Sequence, residues 1–355
     1  MTSTVVPFPR CLARFGDFAT GKIIGGRAER RALVRKCFSA AIGIGPYTAR
    51  LVRALSESAP DLLHSNGFKM HVLGLWSRQL RVPVVWHIRD HIACRPIMAR
   101  LMRRHSGWCA AAVTNSRRVA DDLRSVCGDR LNIYSIHDGI DLTDFSPSGP
   151  ALDLDTLSKM PPANFATVRV GLLATMARWK GHAVFLRALA SLPASLPIRG
   201  YIVGGPLYQT EGSEICPEEL RALASELGIA QKVGFAGLVD EPAAAMRALD
   251  IVIHASTEPE PFGRVIGEAM ACGRAVIASD GAGAVELLTA GVDLLTHPRG
   301  DSSLLAQRIA ALATDPDLRT SLGRHGRATA ERCFDHMRPA REMISIYRAL
   351  TSAAN

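Results

Sequence analysis

Two carboxylates, Glu260 and Glu268, lie around the start of one candidate helix and could bind the hydroxyl groups of a sugar or a ribose. The stretch 258–280 is EPEPFGRVIGEAMACGRAVIASD, in which Phe262-Gly263 follows a polar loop and precedes apolar residues at helical spacing. A helix N-terminus presents backbone N–H groups and a partial positive charge, which suit a diphosphate. The alternative is that Glu260 is an ordinary acid at a helix start and Glu268 an ordinary surface residue.

A cationic turn forms the second candidate site. The stretch 170–182 is VGLLATMARWKGH, which we interpret as a strand, a turn and the start of a helix. Lys180 lies in this turn and could neutralise a diphosphate leaving group. Arg178 could add to that charge or could be a surface residue.

A polar cluster follows the apolar run VPVVWH at Val82–His87. Polar groups at the carboxyl end of a parallel strand are expected to face a ligand. Zinc binding by His87, Asp90 and His91 is one alternative, and a hydrogen-bonded structural His87 is another. The eight cysteines are scattered and never form Cys-x-x-Cys, which argues against a zinc site or a disulfide framework and suits a reducing cytosol.

Two acidic pairs, Asp153/Asp155 and Asp315/Asp317, have the Asp-x-Asp spacing of some metal sites. The first lies in a proline-rich stretch and the second begins a late helical pattern. Because neither pair follows a core strand, we predict that neither binds a metal and that the site uses none.

The elements that would position these groups alternate between short apolar runs and helical patterns from residue 61 onward, which is typical of parallel sheets. The first series of predicted strands is Asp61–Ser65, Val82–His87, Ala110–Asn115 and Leu131–Ile136, with helices at 68–80, 96–106 and 116–126. The second series of strands is Val168–Ala174, Tyr201–Val203, Val233–Phe235, Asp250–Ala255 and Ala275–Ala278. Its helices are predicted at 182–191, 217–227, 241–248 and 263–272, and helical pattern dominates 301–350.

These series predict an α/β protein of two Rossmann-like, doubly wound domains that face a cleft. We place a first domain at 1–150, a linker at 151–166, a second domain at 167–335 and a C-terminal helix at 336–355, which could pack back on the first domain. Residues 146–166 contain four prolines, which favours a linker there. Residues 1–60 show no convincing strands, so we predict a shortened first domain with fewer than two strands before Asp61.

The stretch from Glu260-Pro-Phe-Gly through Glu268-Ala-Met-Ala-Cys-Gly to Val-Ile-Ala-Ser resembles the Glu-x7-Glu signature of the family 4 glycosyltransferases, the glycosyl transferases of group 1. The resemblance covers about residues 61–350 and is strongest over 168–290. It implies the GT-B fold and retaining transfer of a sugar from a nucleotide-sugar donor, with no metal and no cofactor. In this fold the domain at 1–150 would lie on the acceptor side and the domain at 167–335 would bind the donor. The resemblance further implies that Glu260 holds hydroxyls of the donor sugar and Glu268 those of the ribose.

The same resemblance extends to the cationic turn, where Lys180 matches the family's Lys-Gly motif. Thr175 stands where many members have arginine, so Arg178 would have to supply that charge. The resemblance also implies that His87 lies beside the reacting centre and the acceptor. The remaining residues that it assigns to the donor are Gly204, Gly205, Phe262, Gly263, Gly281 and Gly283, with Glu286 beside the last of these.

The resemblance to this family implies that the acceptor is a glycan or a lipid-linked precursor of a bacterial envelope polysaccharide. Two alternatives stay open. One is another enzyme of the same fold, such as a nucleotide-sugar epimerase, and the other is a non-catalytic member that only binds nucleotide sugars.

The first part of the chain is basic. Residues 1–145 contain 22 Lys and Arg against 11 Asp and Glu, and residues 146–355 contain 20 against 22. No aromatic platform accompanies this charge, so we expect no nucleic-acid partner. A stripe of Ile97, Met98, Leu101 and Met102, flanked by arginines and followed by Trp108, could dock on an anionic membrane. The alternative is an amphipathic helix packed on its sheet, and we expect a cytoplasmic protein, either free or peripheral on the inner face of the membrane.

Overall fold

The computed structural model describes residues 5–8, 44–206 and 214–352. Their contacts divide the chain into two compact units. The first runs to Ile136 and takes in the chain from Arg341 onward, and the second is His137–Ala340. The expectation of fewer than two strands before Asp61 concerns mainly residues 9–43, which lie outside the described residues.

The first unit contains a four-stranded parallel sheet in the order β1-β2-β3-β4. The strands are β1 Leu63–Asn66, β2 Val84–Ile88, β3 Ala111–Thr114 and β4 Ile133–Ser135. Helices occupy 44–58, Phe68–Gly74, Pro96–His105 and Arg117–Cys127, with 3-10 helices at Leu75–Leu80 and Ser106–Trp108. The helical stretch predicted near 68–80 is confirmed as an α-helix followed directly by a 3-10 helix. Gly74, a weak helix former, stands where the α-helix gives way to the 3-10 helix.

The predicted apolar stripe on the helix Pro96–His105 is divided between the protein core and the surface. Met102 is fully buried, and Met98 packs on the same core, which also contains Trp86 and Leu123. Ile97 is exposed. Half of the stripe therefore packs on the sheet, as expected for an amphipathic helix covering a parallel sheet.

The C-terminal helix, Met337–Ser352, supplies apolar side chains to the other face of this sheet. Met343, Ile346 and Leu350 pack against a cluster built on Val85 and Val113. Residues 341–352 therefore belong to the core of the first unit, although they are separated from it in sequence by the whole second unit.

The second unit contains a six-stranded parallel sheet in the order β10-β9-β8-β5-β6-β7. The strands are β5 Val168–Leu173, β6 Ile198–Val203, β7 Val233–Gly237, β8 Ile251–His254, β9 Ala275–Ser279 and β10 Leu295–His297. The helices are Leu154–Leu157, His182–Ala190, Pro217–Glu226, Pro242–Arg247, Arg264–Ala271, Ser302–Thr314 and Pro316–Cys333. The 3-10 helices are Arg178–Lys180, Ala230–Lys232 and Gly283–Leu287.

The strand order changes direction between β5 and β8, since β6 and β7 follow on one side of β5 and β8 to β10 on the other. Such a switch point is where doubly wound sheets bind ligands, beyond the carboxyl ends of the strands. The predicted α/β class and the two doubly wound domains are confirmed. The division between the units lies before the predicted boundary at 150, because residues 137–166 pack on the second unit. Leu154 is fully buried in its core, and Asp155 accepts hydrogen bonds from Arg199 and Tyr201, each at 2.6 Å.

Within the described ranges, no helix has both the length and the apolar character needed to cross a lipid bilayer.

Candidate active site

Lys180 is positioned by the turn that leaves β5. This lysine ends the 3-10 helix Arg178–Lys180, and Gly181 follows with φ of 78°. A Cβ at Gly181 would lie 1.8 Å from the carbonyl oxygen of Ala255, just beyond β8. Only glycine therefore allows the β5 turn to approach the end of β8 this closely, and that approach brings Lys180 to the loop that contains Glu260.

The two residues form a buried ion pair. Lys180 Nζ donates to Glu260 Oε1 at 2.5 Å. The ammonium also lies 4.1 Å from the centroid of the Trp179 ring. Trp179 is itself held by its backbone carbonyl, which accepts a hydrogen bond from Thr257 N at 2.7 Å. The cation predicted for phosphate binding is thus held in place on two sides.

Glu260 has further partners on its second oxygen. His254 Nε2 lies 2.7 Å from Oε2, and Ser256 Oγ donates to the same atom at 2.5 Å. Ser279 Oγ, at the end of β9, lies 3.2 Å from His254 Nδ1. Burial raises the pKa of Glu260, but the charges and hydrogen bonds of His254 and Lys180 outweigh it and hold this pKa well below its ordinary value.

The loop after Glu260 is fixed against the loop after β9. Gly283 N donates to the Glu260 carbonyl at 3.1 Å, and Ala284 N donates to the Phe262 carbonyl at 2.7 Å. The Phe262 ring is buried, and Gly263 then begins the helix Arg264–Ala271 as predicted. The structure therefore brings together four predicted site regions: Lys180, Glu260, the helix start at Phe262-Gly263, and Gly283.

Glu268 lies inside this helix and is largely buried, with 15% of its side chain exposed. Arg264, one turn earlier, places Nε 3.1 Å from Glu268 Oε1. Burial raises the pKa of Glu268, and Arg264 opposes that rise. Glu268 is therefore not the ordinary surface acid that the sequence left as an alternative.

Arg178 differs from Lys180 in its surroundings. Its Nη2 pairs with Glu219 Oε2 at 2.8 Å, and both side chains are about half exposed. Such an exposed pair contributes little to stability. The structure thus pairs Arg178 with a carboxylate at the surface, and a diphosphate would have to compete with Glu219 for it.

Two glycine turns follow β6 and β9. Gly204 has φ of 137°, and a Cβ there would lie 1.9 Å from the carbonyl oxygen of Ala174, so the ends of β5 and β6 meet at this point. Gly205 accepts a hydrogen bond from Met176 N at 3.1 Å, and Gly281 has φ of 94°. These glycines allow the close backbone contacts around the carboxyl ends of the strands.

His87 lies in β2 of the first unit, within a group of polar rings. Its Nδ1 is 3.3 Å from His64 Nε2, and Tyr347 Oη is 2.5 Å from His64 Nδ1. Nearby His71 is buried, and burial together with the charge of His87 lowers the pKa of His71 to about 3. His87 therefore belongs to a hydrogen-bonded network that reaches the C-terminal helix.

The alternative zinc ligands do not gather around His87. Asp90 pairs with Arg95, and His91 Nδ1 lies 3.9 Å from Asp122 Oδ1. In the described part of the chain, no group of three His, Cys, Asp or Glu side chains has an arrangement that could hold a metal ion.

Family models match both units. The model described as Glycosyl transferases group 1 matches residues 167–315, and the model Glycosyltransferase Family 4 matches residues 16–144, so that together they span most of the chain. The chain belongs to the family 4, group 1 glycosyltransferases.

Individual relatives agree with this family. The chain is 30% identical over 259 residues to D-inositol 3-phosphate glycosyltransferase of Jonesia denitrificans, with 69% of this chain and 58% of that protein covered. It is 27% identical to the lipopolysaccharide core biosynthesis mannosyltransferase LpsB of Rhizobium meliloti, with 84% and 89% covered. The chain thus spans little more than half of the Jonesia relative and most of LpsB.

A solved structure of Anabaena HepE in complex with UDP has the same fold. Its TM-score is 0.75 and its sequence identity 26%, with 87% of this chain and 84% of that chain covered. The predicted GT-B fold is therefore confirmed.

Sequence reasoning missed three polar residues of the site in this family 4 glycosyltransferase. His254, Ser256 and Ser279 are buried at the ends of β8 and β9. Their signal was a polar residue at the carboxyl end of each of two neighbouring apolar strands. That position in parallel strands favours a ligand site.

The acidic pairs of this glycosyltransferase have internal partners. Asp153 and Asp315 each accept hydrogen bonds from backbone N–H groups at a helix start. Asp155 is buried and pairs with Arg169 at 3.0 Å as well as with Arg199. These carboxylates stabilise the second unit through helix capping and ion pairing.

Proposed function

We propose that this chain is a retaining glycosyltransferase, which moves a sugar from a nucleotide-sugar donor to a glycan or lipid-linked acceptor and needs no metal ion or cofactor. The observation that carries the proposal is the Lys180–Glu260 pair, which lies beyond the carboxyl ends of β5 and β8 at the switch point of the sheet. UDP bound to HepE and the transferases among the relatives support it.

The leaving group determines the role of Lys180. As the bond between the anomeric carbon and the diphosphate breaks, negative charge builds up on the phosphate oxygen. A fixed cation there stabilises the transition state more than the ground state. The helix start at Phe262-Gly263 adds a partial positive charge. Lys180 would thus supply a full positive charge where negative charge develops on the leaving group.

The carboxylates hold the sugar and the nucleoside. Lys180 has three N–H donors, so it can keep Glu260 as a partner while it donates to the diphosphate. Glu260 is charged and also has His254 as a partner, and it could accept hydrogen bonds from hydroxyls of the donor sugar. Glu268 would accept those of the ribose, and His87 would contact the acceptor. The acceptor oxygen attacks the anomeric carbon from the face that the nucleoside diphosphate leaves, so the configuration is retained.

Release of nucleoside diphosphate tests the proposal. A thermal-shift screen of UDP-, GDP- and ADP-sugars selects the donor, and initial rates are then measured with and without candidate acceptors, before and after EDTA. We expect release that depends on the acceptor and is unchanged by EDTA. Conversion of the donor without any acceptor would instead indicate an epimerase, and binding without turnover a non-catalytic member. Activity abolished by EDTA and restored by manganese would contradict the assignment of the diphosphate to Lys180.

We further propose that the acceptor is a lipid-linked precursor of an envelope polysaccharide and that the first unit docks on an anionic membrane. Ile97 and Trp108 are about half exposed, and Arg100 and Arg104 beside them are exposed. Apolar side chains flanked by cations are typical of interfacial surfaces. Because Met98 and Met102 are committed to the core, the proposed contact rests on the two exposed apolar residues.

Flotation with vesicles tests this docking. We expect recovery with anionic vesicles at low salt, a large loss at high salt, and a loss in Ile97→Ser. Leu238→Ser, which changes an exposed apolar residue of the second unit, is the control and should float normally. Equal recovery with neutral and anionic vesicles would contradict the electrostatic contribution.

A further inference from the structure

A cavity of about 520 Å³ lies at the amino ends of the strands in the second unit, where β8 and β9 begin. It is therefore remote from the Lys180–Glu260 pair, which lies beyond the carboxyl ends of the same strands. Asp250 and Arg274 line it just before the two strands, and one face of the helix Pro316–Cys333 forms the opposite wall. The helix residues of that face are Pro316, Arg319, Thr320, Gly323, Arg324 and Arg327.

The lining of this cavity is strongly cationic. Four arginines face one carboxylate, that of Asp250, which leaves a formal balance of four minus one, or three positive charges. Asp250 also accepts a hydrogen bond from Arg169 N at 2.7 Å. Glu331, outside the lining, pairs with Arg327 Nε at 2.7 Å. An anion of several charges would offset this balance.

Three of the arginines are held in place by backbone carbonyl groups. Arg319 Nη1 donates to the Leu312 carbonyl at the end of one helix, and Arg327 Nη1 donates to the Ala271 carbonyl at the end of another. Arg274 Nε donates to the Cys272 carbonyl at 3.0 Å. These bonds leave the Nη2 group of each guanidinium without a partner among the described residues. The three side chains are thus fixed by structural bonds while retaining donors for a ligand.

Arg324 is the exception, because it caps no helix. Its side chain is exposed and has no hydrogen-bond or ion-pair partner in the described ranges. It adds a fourth like charge to a cluster in which three arginines already serve the helix ends. Helix capping therefore does not account for Arg324, whereas an anion in the cavity would.

We propose that this cavity is a second ligand site, which binds a small molecule carrying at least two phosphoryl groups. Planar guanidinium groups with spare N–H donors match phosphate oxygens in pairs. The volume lies in the range of small-molecule sites. An adjoining cavity of about 320 Å³ shares Asp250 and Arg274, which provides space for an organic group attached to the phosphates.

Calorimetric titration with inorganic pyrophosphate tests the site. The full-length Lys180→Ala variant is the background, so that the donor site's own cation does not contribute. We expect pyrophosphate to bind this background and Arg324→Gln to weaken that binding roughly tenfold, since a hydrogen bond to a charged group is lost. Arg187→Gln is the matched control, because it removes one exposed arginine of the same unit outside both cavities.

Thr320→Glu provides an independent variant that adds a carboxylate to the cavity wall, and we expect it to weaken binding at least as much as Arg324→Gln. The proposal is overturned if the Lys180→Ala background binds no pyrophosphate, or if Arg324→Gln and Thr320→Glu bind it as the background does. An equal loss in Arg187→Gln would also overturn it, since the effect would then be one of net charge. The site is independent of the proposed transfer reaction, so either result leaves that proposal intact.

Discussion

Glu260 carries its charge inside the protein because Lys180 and His254 each lie close to one of its oxygens. We expect Glu260→Gln to lower the free energy of unfolding at pH 7 by about 3 kcal/mol, since two buried partners lose a carboxylate. The pKa of Glu260 is depressed in the folded protein, so its contribution is complete above the pKa of the unfolded chain and is lost as pH falls through the lower folded value. The difference between wild type and Glu260→Gln should therefore persist at pH 5 and decline only in stronger acid.

Urea unfolding at pH 7, 5 and 3 measures that difference. Glu258→Gln, which changes an exposed acid of the same loop, is the control and should change stability by no more than a few tenths of a kcal/mol. A difference for Glu260→Gln that has already vanished at pH 5 would show that the pKa of Glu260 is not depressed.

Lys180 and Glu268 should affect different steps of the reaction. We expect Lys180→Ala to lower kcat about a hundredfold or more, because its charge matters most as the diphosphate departs. Glu268→Gln should instead weaken binding of the free nucleotide roughly ten- to a hundredfold, through loss of a charged acceptor for the ribose. Initial rates and nucleotide calorimetry separate the two, and unchanged nucleotide affinity in Glu268→Gln would remove its ribose role.

At the scale of single residues, residue types and spacing indicated Glu260 and Lys180 as site residues, since both belong to local motifs. They did not indicate the bond between them, which joins positions 80 residues apart. His254 was missed because a single polar residue at the end of an apolar strand does not reveal its partners, which follow only from the packing of β8 beside β9 and the fold of the loop that contains Glu260.

At the scale of elements, the turn after β5 depends on the absence of a side chain at Gly181. We expect Gly181→Ala to lower the free energy of unfolding by at least about 3 kcal/mol, because the added Cβ would overlap the Ala255 carbonyl and the residue would be strained at positive φ. Gly228→Ala is a matched control with φ of 71° and open space around it, and should lose about 1 kcal/mol. Urea unfolding compares the two variants. Equal losses of stability would show that the overlap of the added Cβ with the Ala255 carbonyl adds nothing to the cost of a positive φ.

Most strands were predictable to within a few residues, because apolar runs bounded by turns are a local property. The exception is β10, Leu295–His297, which is three residues long and too short to show a period. The prolines around the predicted linker at 151–166 indicated a loop, but they carried no information on where Leu154 and Asp155 would pack.

At the scale of the molecule, the C-terminal helix completes the core of the first unit. Ile346 packs on the cluster around Val85 and Val113, whereas Ile344, on the same helix, is exposed. We expect Ile346→Ala to destabilise the first unit by about 1–2 kcal/mol and to speed amide exchange in Ala111–Thr114, with no change in Ile251–His254. Hydrogen exchange with mass spectrometry measures both strands. Ile344→Ala should leave both unchanged, and an effect of Ile346→Ala on both strands would contradict separate cores.

The packing of the C-terminal helix on the first unit also affects the order in which the two units can fold during synthesis on the ribosome. The second unit is continuous in sequence, so all its strands are available once residue 340 has emerged. The first unit is translated earlier, yet Met343, Ile346 and Leu350 reach it only after the whole second unit has been made. Among the described residues, the part of the sheet around Val85 and Val113 therefore lacks this apolar cover until the C-terminal helix has been synthesised. The nascent chain is expected to need protection by chaperones longest at the first unit.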